Sequence, residues 1–126
     1  MRALFVDDEV EFLELMEKRL TRRGMEVVTA PDGQSALDLL DQALQSGEMF
    51  QIVVMDVRMP GMNGIEATGR IVAEHPDTRV LVLTTFDLDE YAQAAVQAGA
   101  SGFLLKDARP TELVDAITRV AGGDAV

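Results

Sequence analysis

Short apolar runs without polar alternation, each followed by a segment of helical period, constrain this chain more than any other feature. Ile52-Val53-Val54-Met55 is apolar at four successive positions, which a strand tolerates only when both of its faces are covered. Strands are likewise expected over Arg2 to Val6, Glu26 to Ala30, Val80 to Thr84 and Gly102 to Leu105. Val10 to Arg23, Gln34 to Gln45, Ile65 to His75, Glu90 to Ala98 and Thr111 to Ala121 carry apolar residues at helical spacing, and Pro110 suits the entry of the last. Turn formers such as Pro31-Asp32-Gly33, Pro60-Gly61 and Pro76-Asp77 separate the elements. Five strands alternating with five helices predict an α/β fold, a doubly wound parallel sheet with helices on both faces and right-handed crossovers. A length of 126 residues suits one such domain.

Charge and composition narrow the function. With 22 acidic and 11 basic residues the net charge is −11, which opposes binding to nucleic acid or anionic lipid and favours a cation or a basic surface. Cysteine is absent, so thiolate chemistry and Cys-based metal sites are excluded. No apolar run approaches the length of a membrane span, and no basic segment followed by an apolar stretch opens the chain. A cytoplasmic location is therefore expected.

In an open parallel sheet, ligands sit beyond the carboxyl ends of the strands. The residues there are Asp7 and Asp8 after the first strand, Asp56 after the third, Thr84 and Thr85 at the fourth, and Lys106 after the fifth. Each has an ordinary explanation alone: Asp7 or Asp8 could cap a helix, Asp56 could form a turn, and Lys106 could be a solvated surface lysine. Turn chemistry, however, does not require all of them at one edge. Carboxylates gathered there repel one another and call for a cation; all-oxygen ligands with room for water and phosphate suit Mg²⁺. Lys106 then offers a point charge to an anion sharing the metal.

These residues lie in stretches that resemble the receiver domains of bacterial two-component response regulators: Phe5-Val6-Asp7-Asp8-Glu9, the run from Met55 to Gly64, Leu83-Thr84, and the run from Ala98 to Lys106. The resemblance covers nearly the whole chain. It implies a flavodoxin-like, CheY-like (βα)₅ fold of strand order 2-1-3-4-5, with the receiver over residues 1–121 and a linker or tail starting at 122–126. It also implies that Asp56 accepts a phosphoryl group from a histidine kinase. Asp8, Asp56 and the backbone carbonyl of Arg58 would ligate Mg²⁺ directly, with Asp7 acting mainly through water. Thr84 and Lys106 would contact phosphoryl oxygens, and Phe103 would hold the aromatic switch position. Homodimerisation on phosphorylation is a further implied partnership.

The second half, from Thr84 to Asp107, looks most like receivers of the NarL/LuxR type, which continue into a helix-turn-helix. A receiver taken from a longer transcription regulator is therefore expected, with DNA binding by a further domain. The first half looks closer to other receiver branches, and the link from Gln42 to Gln51 is long. Many receivers place a cis proline after the lysine, whereas Asp107 follows Lys106 here, so a trans bond is expected.

Two other classes compete. A Mg²⁺-dependent phosphohydrolase with an Asp nucleophile resembles a pattern with a second Asp two residues on, where this chain has Arg58. A phosphorylation-independent scaffold or binding module, including a flavin-binding one, is the other; the acidic loop after the first strand disfavours flavin phosphate.

On a helical wheel Val10, Leu13, Met16 and Leu20 share one face, leaving Phe12 at its margin and Leu15 outside. Phe12 and Leu15, with Arg109 in the loop from Asp107 to Pro110, are the expected kinase-docking residues by resemblance. His75 suits a helix C-terminus, and the methionines suit the core.

Overall fold

Successive side chains of a strand point to opposite faces, and in the three central strands of this sheet both faces are buried. The computed structural model describes residues 1–56, 64–84 and 89–123, with the backbone alone at 89–92. Its elements run β1 (Arg2–Val6), α1 (Val10–Arg22), β2 (Glu26–Ala30), α2 (Gly33–Ser46), β3 (Ile52–Asp56), α3 (Gly64–Glu74), β4 (Arg79–Thr84), α4 (Asp89–Gln97), β5 (Gly102–Leu105) and α5 (Pro110–Ala121). The strands form one parallel sheet of order β2-β1-β3-β4-β5, as expected. The chain builds outward from β1 to β2, then returns past β1 to β3. A crevice therefore opens at the carboxyl ends of β1 and β3, where the winding reverses.

The alternation assigns each face its own core. Leu4, Val6, Val53, Met55, Val80 and Val82 pack with Leu37 and Leu40 of α2 and Ile71 of α3. Ala3, Phe5, Ile52, Val54, Leu81 and Leu83 pack with Met16 and Leu20 of α1 and Leu113 and Ile117 of α5. The same alternation sorts the strand-end residues. Asp56 shares the parity of Ile52 and Val54, on the α1/α5 side, whereas Thr84 shares that of Val80 and Val82, on the α2/α3 side.

Local chemistry sets the element ends. The Asp32 carboxylate caps α2 by accepting from the Ser35 backbone N–H at 2.7 Å, and Pro110 stands in the first turn of α5. Gly99 follows α4 with φ of 107°, and a Cβ there would lie 2.8 Å from a Val72 methyl, so only glycine lets α4 close on α3. No cis peptide occurs among the described residues, Lys106-Asp107 included.

One element differs from the sequence reading. The inward face of α1 carries Phe12 rather than Val10: Met16 and Leu20 are buried, Phe12 and Leu13 pack against them, and Val10 is 65% exposed. Val10 opens the helix and overhangs the core, while the Phe12 ring meets Phe5 edge-on at 5.7 Å. The long link before β3 is anchored by buried Phe50, with the Arg2 guanidinium 4.3 Å from its ring centroid. His75 is buried just after α3, its Nε2 3.2 Å from the Asp41 carboxylate of α2. It joins two helices far from the strand ends that carry the acidic residues.

Candidate functional site

Three carboxylates meet where β1 and β3 end: oxygens of Asp7, Asp8 and Asp56 all lie within 4.8 Å of one another. Asp7 and Asp56 are buried and Asp8 is exposed. Lys106, directly after β5, reaches into this group. Its Nζ is 2.6 Å from Asp7 Oδ2, 2.8 Å from Glu9 Oε1 and 3.3 Å from Asp56 Oδ2. The backbone holds it there, since the Lys106 N–H donates to the Thr84 carbonyl at 2.6 Å. The Phe12 ring flanks the ammonium at 4.6 Å, a cation–π contact.

Neither aspartate of the first loop caps α1. The N-cap residue is Glu9, and no side chain bonds the first-turn amides. Asp7 Oδ1 instead accepts the Glu9 N–H at 2.8 Å, which turns the loop and brings the Glu9 carboxylate to Lys106. Glu9 is the site member that the sequence reading overlooked. Its signal was its place as the third acid in a row after β1.

The electrostatics follow from this crowding. Burial pushes the Asp7 carboxyl above its ordinary range against the opposing hydrogen bonds from Lys106 and the Glu9 amide, and the nearby Asp56 charge adds to the rise. For Lys106, burial alone would favour the neutral amine, but hydrogen bonds to Asp7 and Glu9 outweigh it and hold the ammonium well above the usual lysine range. Four carboxylates against one ammonium leave a formal surplus of three negative charges. An all-oxygen donor set with that surplus, buried at Asp7 and Asp56 and open to solvent at Asp8, fits a hard divalent cation such as Mg²⁺, with these three as the holding residues.

The other expected residues fall into three groups. Arg58, whose carbonyl is an expected metal ligand, lies outside the described residues, as does Thr85. Thr84 ends β4 in a buried position. Phe103 pairs with Val82, two residues before Thr84, and is 38% exposed. On α1, Leu15 is 41% exposed while Phe12 is half-buried against Phe5 and Lys106. Arg109 is exposed at the N-cap of α5, 3.9 Å from Glu112.

Comparison with known proteins identifies the family. The family model described as "Response regulator receiver domain" matches residues 3–118. DegU, a transcriptional regulatory protein of Brevibacillus brevis, is 33% identical over 99% of this chain and 52% of its own length. YxjL of Bacillus subtilis, named as a transcriptional regulatory protein, is 42% identical over 77% of this chain and 42% of its own. The chain thus spans about half the length of the curated relatives it matches. Among solved structures, the signal receiver domain of the putative response regulator NarL from Mycobacterium tuberculosis superposes with a TM-score of 0.86 at 35% identity, covering 97% of this chain and 96% of that one. A LuxR-family two-component response regulator from Aurantimonas gives 0.83 at 34%, covering 98% and 86%.

The raised Asp7 carboxyl has a definite sign. Between the ordinary carboxylate pKa and its higher folded value the native state binds more protons than the unfolded chain, so stability falls as pH rises through that window. Asp7→Asn keeps an acceptor for the Glu9 amide and removes the buried charge. Urea unfolding at pH 7 should show a higher midpoint for Asp7→Asn than for wild type, the gap closing as the pH falls to about 4. A lower midpoint at pH 7 would mean that the Lys106 ion pair outweighs the burial of the charge.

Proposed function

Because the chain belongs to the receiver domain family of response regulators, whose members act in signalling rather than metabolism, we propose that Asp56 accepts a phosphoryl group from a sensor histidine kinase and that phosphorylation reshapes the 84–121 surface. The observation that carries this reading is the Asp56 carboxylate beside Lys106, at 3.3 Å, within the acidic group of Asp7 and Asp8. An Asp56 oxygen attacks phosphorus, the bond to the kinase imidazole nitrogen breaks, and the leaving imidazole takes the electron pair. Lys106 faces the charge on the equatorial oxygens of a loose transition state, and the Thr84 hydroxyl donates to a phosphoryl oxygen. Mg²⁺, when held by Asp7, Asp8, Asp56 and the Arg58 carbonyl, supplies the remaining charge neutralisation. The acyl phosphate is later hydrolysed by an in-line water, so the domain resets itself and is not a phosphohydrolase of other substrates.

The relatives are full-length transcriptional regulators, and the proposed output is accordingly a DNA-binding domain joined beyond α5, with phosphorylated copies pairing as a homodimer. This domain does not touch DNA itself, given its net charge of −11. Among the described residues no helix is long and apolar enough to cross a membrane, and we place the protein in the cytoplasm, where such kinases present their phosphohistidine.

Incubation with Mg²⁺ and a small acyl phosphate donor should add one phosphoryl group to wild type by mass spectrometry and none to Asp56→Asn. Asp8→Ala or a chelator should abolish the addition. Normal labelling of Asp56→Asn would remove the assignment, and an unmodified wild-type chain would favour the scaffold reading.

Docking of the kinase is placed on α1 and the loop before α5, through Phe12, Leu15 and Arg109. Leu15 lies in a shallow recess with Glu11, Glu14 and Lys18, an apolar side chain ringed by charges. Leu15→Ala should slow transfer from the kinase at least several-fold while leaving small-donor phosphorylation intact. Phe12→Ala should impair both, because its ring also flanks Lys106. Equal rates for wild type and Leu15→Ala with the kinase would move the docking surface elsewhere.

The conformational response is assigned to α4 and β5. Among the described side chains of α4, Ala95 is buried and Val96 is 53% exposed, so the described part of the helix is anchored by one small residue. Thr84, drawn toward the phosphoryl group, vacates space on its sheet face into which Phe103 turns inward. Hydrogen exchange over Glu90 to Leu105 should change with beryllofluoride, a phosphoryl mimic, and less so in Thr84→Ala. Unchanged exchange at full occupancy would refute the switch.

A further inference from the structure

The basic residues of this acidic chain are unevenly placed. Lys18, Arg19, Arg22 and Arg23 make up four of its 11 basic residues within six positions. Three of them line a recess of about 200 Å³ between α1 and α5, formed by Arg19, Arg22, Arg23, Thr111 and Val114. That lining holds three guanidiniums, a hydroxyl and no carboxylate. In a molecule of net charge −11, this lining is basic.

Basic residues in the last turn of α1 suit its helix dipole, and Arg19 and Arg22 stand in that turn. Two observations go beyond that role. The terminal carbonyls are already satisfied: the Arg23 and Met25 N–H groups donate to Leu20 O at 3.0 and 3.1 Å, and the Gly24 N–H to Thr21 O at 3.0 Å. The Arg19 Nε has no hydrogen-bond partner among the described residues, while the side chain as a whole is only partly buried. Arg23 is partly neutralised by Asp115 at 3.0 Å, which leaves Arg19 and Arg22 to set the recess potential. Across from them, Thr111 belongs to the first turn of α5, whose N-cap Arg109 contributes no side-chain bond. The positive end of α5 therefore adds to the arginine charges.

We propose that this recess binds a phosphate-type oxyanion, with the Arg19 and Arg22 guanidiniums as paired donors and the Thr111 hydroxyl as a third. Guanidinium forks match tetrahedral oxyanions in two-point contacts. A recess of about 200 Å³ holds a phosphate group with a few waters, each water occupying about 30 Å³, and is too small for a helix. The anion is either free inorganic phosphate or the phosphate of a small phosphomonoester. This site shares no residue with the acidic group around Asp56, and it stands whether or not Asp56 is phosphorylated.

The test uses the full chain carrying Asp56→Asn, so that the acidic site is not modified. Inorganic phosphate is titrated at constant ionic strength, with chloride as the matched control, and backbone amide shifts are followed by NMR. Saturable shifts confined to residues 19–23 and 111–114 are expected, with half-saturation raised about tenfold by Arg19→Gln and by Arg22→Gln, the loss of one charge-assisted contact. Arg22 is exposed, so its substitution keeps the fold even where that of Arg19 does not. A phosphomonoester binding more tightly than inorganic phosphate supports the ester form, and equal affinity supports the free anion. Shifts that chloride reproduces, that fail to saturate, or whose half-saturation is unchanged in Arg22→Gln overturn the proposal.

Discussion

The ammonium of Lys106 among the carboxylates of Asp7, Glu9 and Asp56 is the contact on which the functional edge of this molecule depends. Three sheet segments end at that point, and each delivers a charge. Without a cation between them, the charges of buried Asp7 and Asp56 would repel one another. Lys106 holds the edge together without neutralising it. The remaining negative surplus suits a small, hard divalent ion.

That edge is coupled to the rest of the fold through two short connections. The Lys106 amide donates to the Thr84 carbonyl, so the ends of β4 and β5 move together. The Phe12 ring touches both the Lys106 ammonium and the Phe5 ring, which ties α1 to the same group. Asp56 faces the α1 and α5 side of the sheet, and Thr84, of opposite parity, faces the other.

Helix α1 joins two electrostatic regimes. Glu11, Glu14 and Glu17 precede Lys18, Arg19 and Arg22 along it, an order opposite in sign to each helix end's partial charge and therefore stabilising. The acidic stretch borders the metal-holding edge and the basic stretch borders the recess shared with α5. One helix thereby presents surfaces suited to different ligands, separated by about one turn.

Much of this was legible in the linear sequence. Four-residue apolar runs such as Ile52 to Met55 dictate strands covered on both faces, since no other environment removes every side chain from water, and the alternation with helices then dictates a parallel sheet. The placing of Asp7, Asp56 and Lys106 at one edge follows from that topology alone. Tertiary structure decided what periodicity could not. A helical wheel treats every turn as equally covered, so it put Val10 inward; the core ends before the first turn of α1, and Phe12 reaches it instead. Glu9 joined the site because the Asp7 side chain bends the loop through the Glu9 amide, a side-chain-to-backbone bond with no signature in residue spacing. The recess of Arg19, Arg22 and Thr111 likewise exists only once α1 and α5, nearly ninety residues apart in the chain, pack side by side on the same face of the sheet.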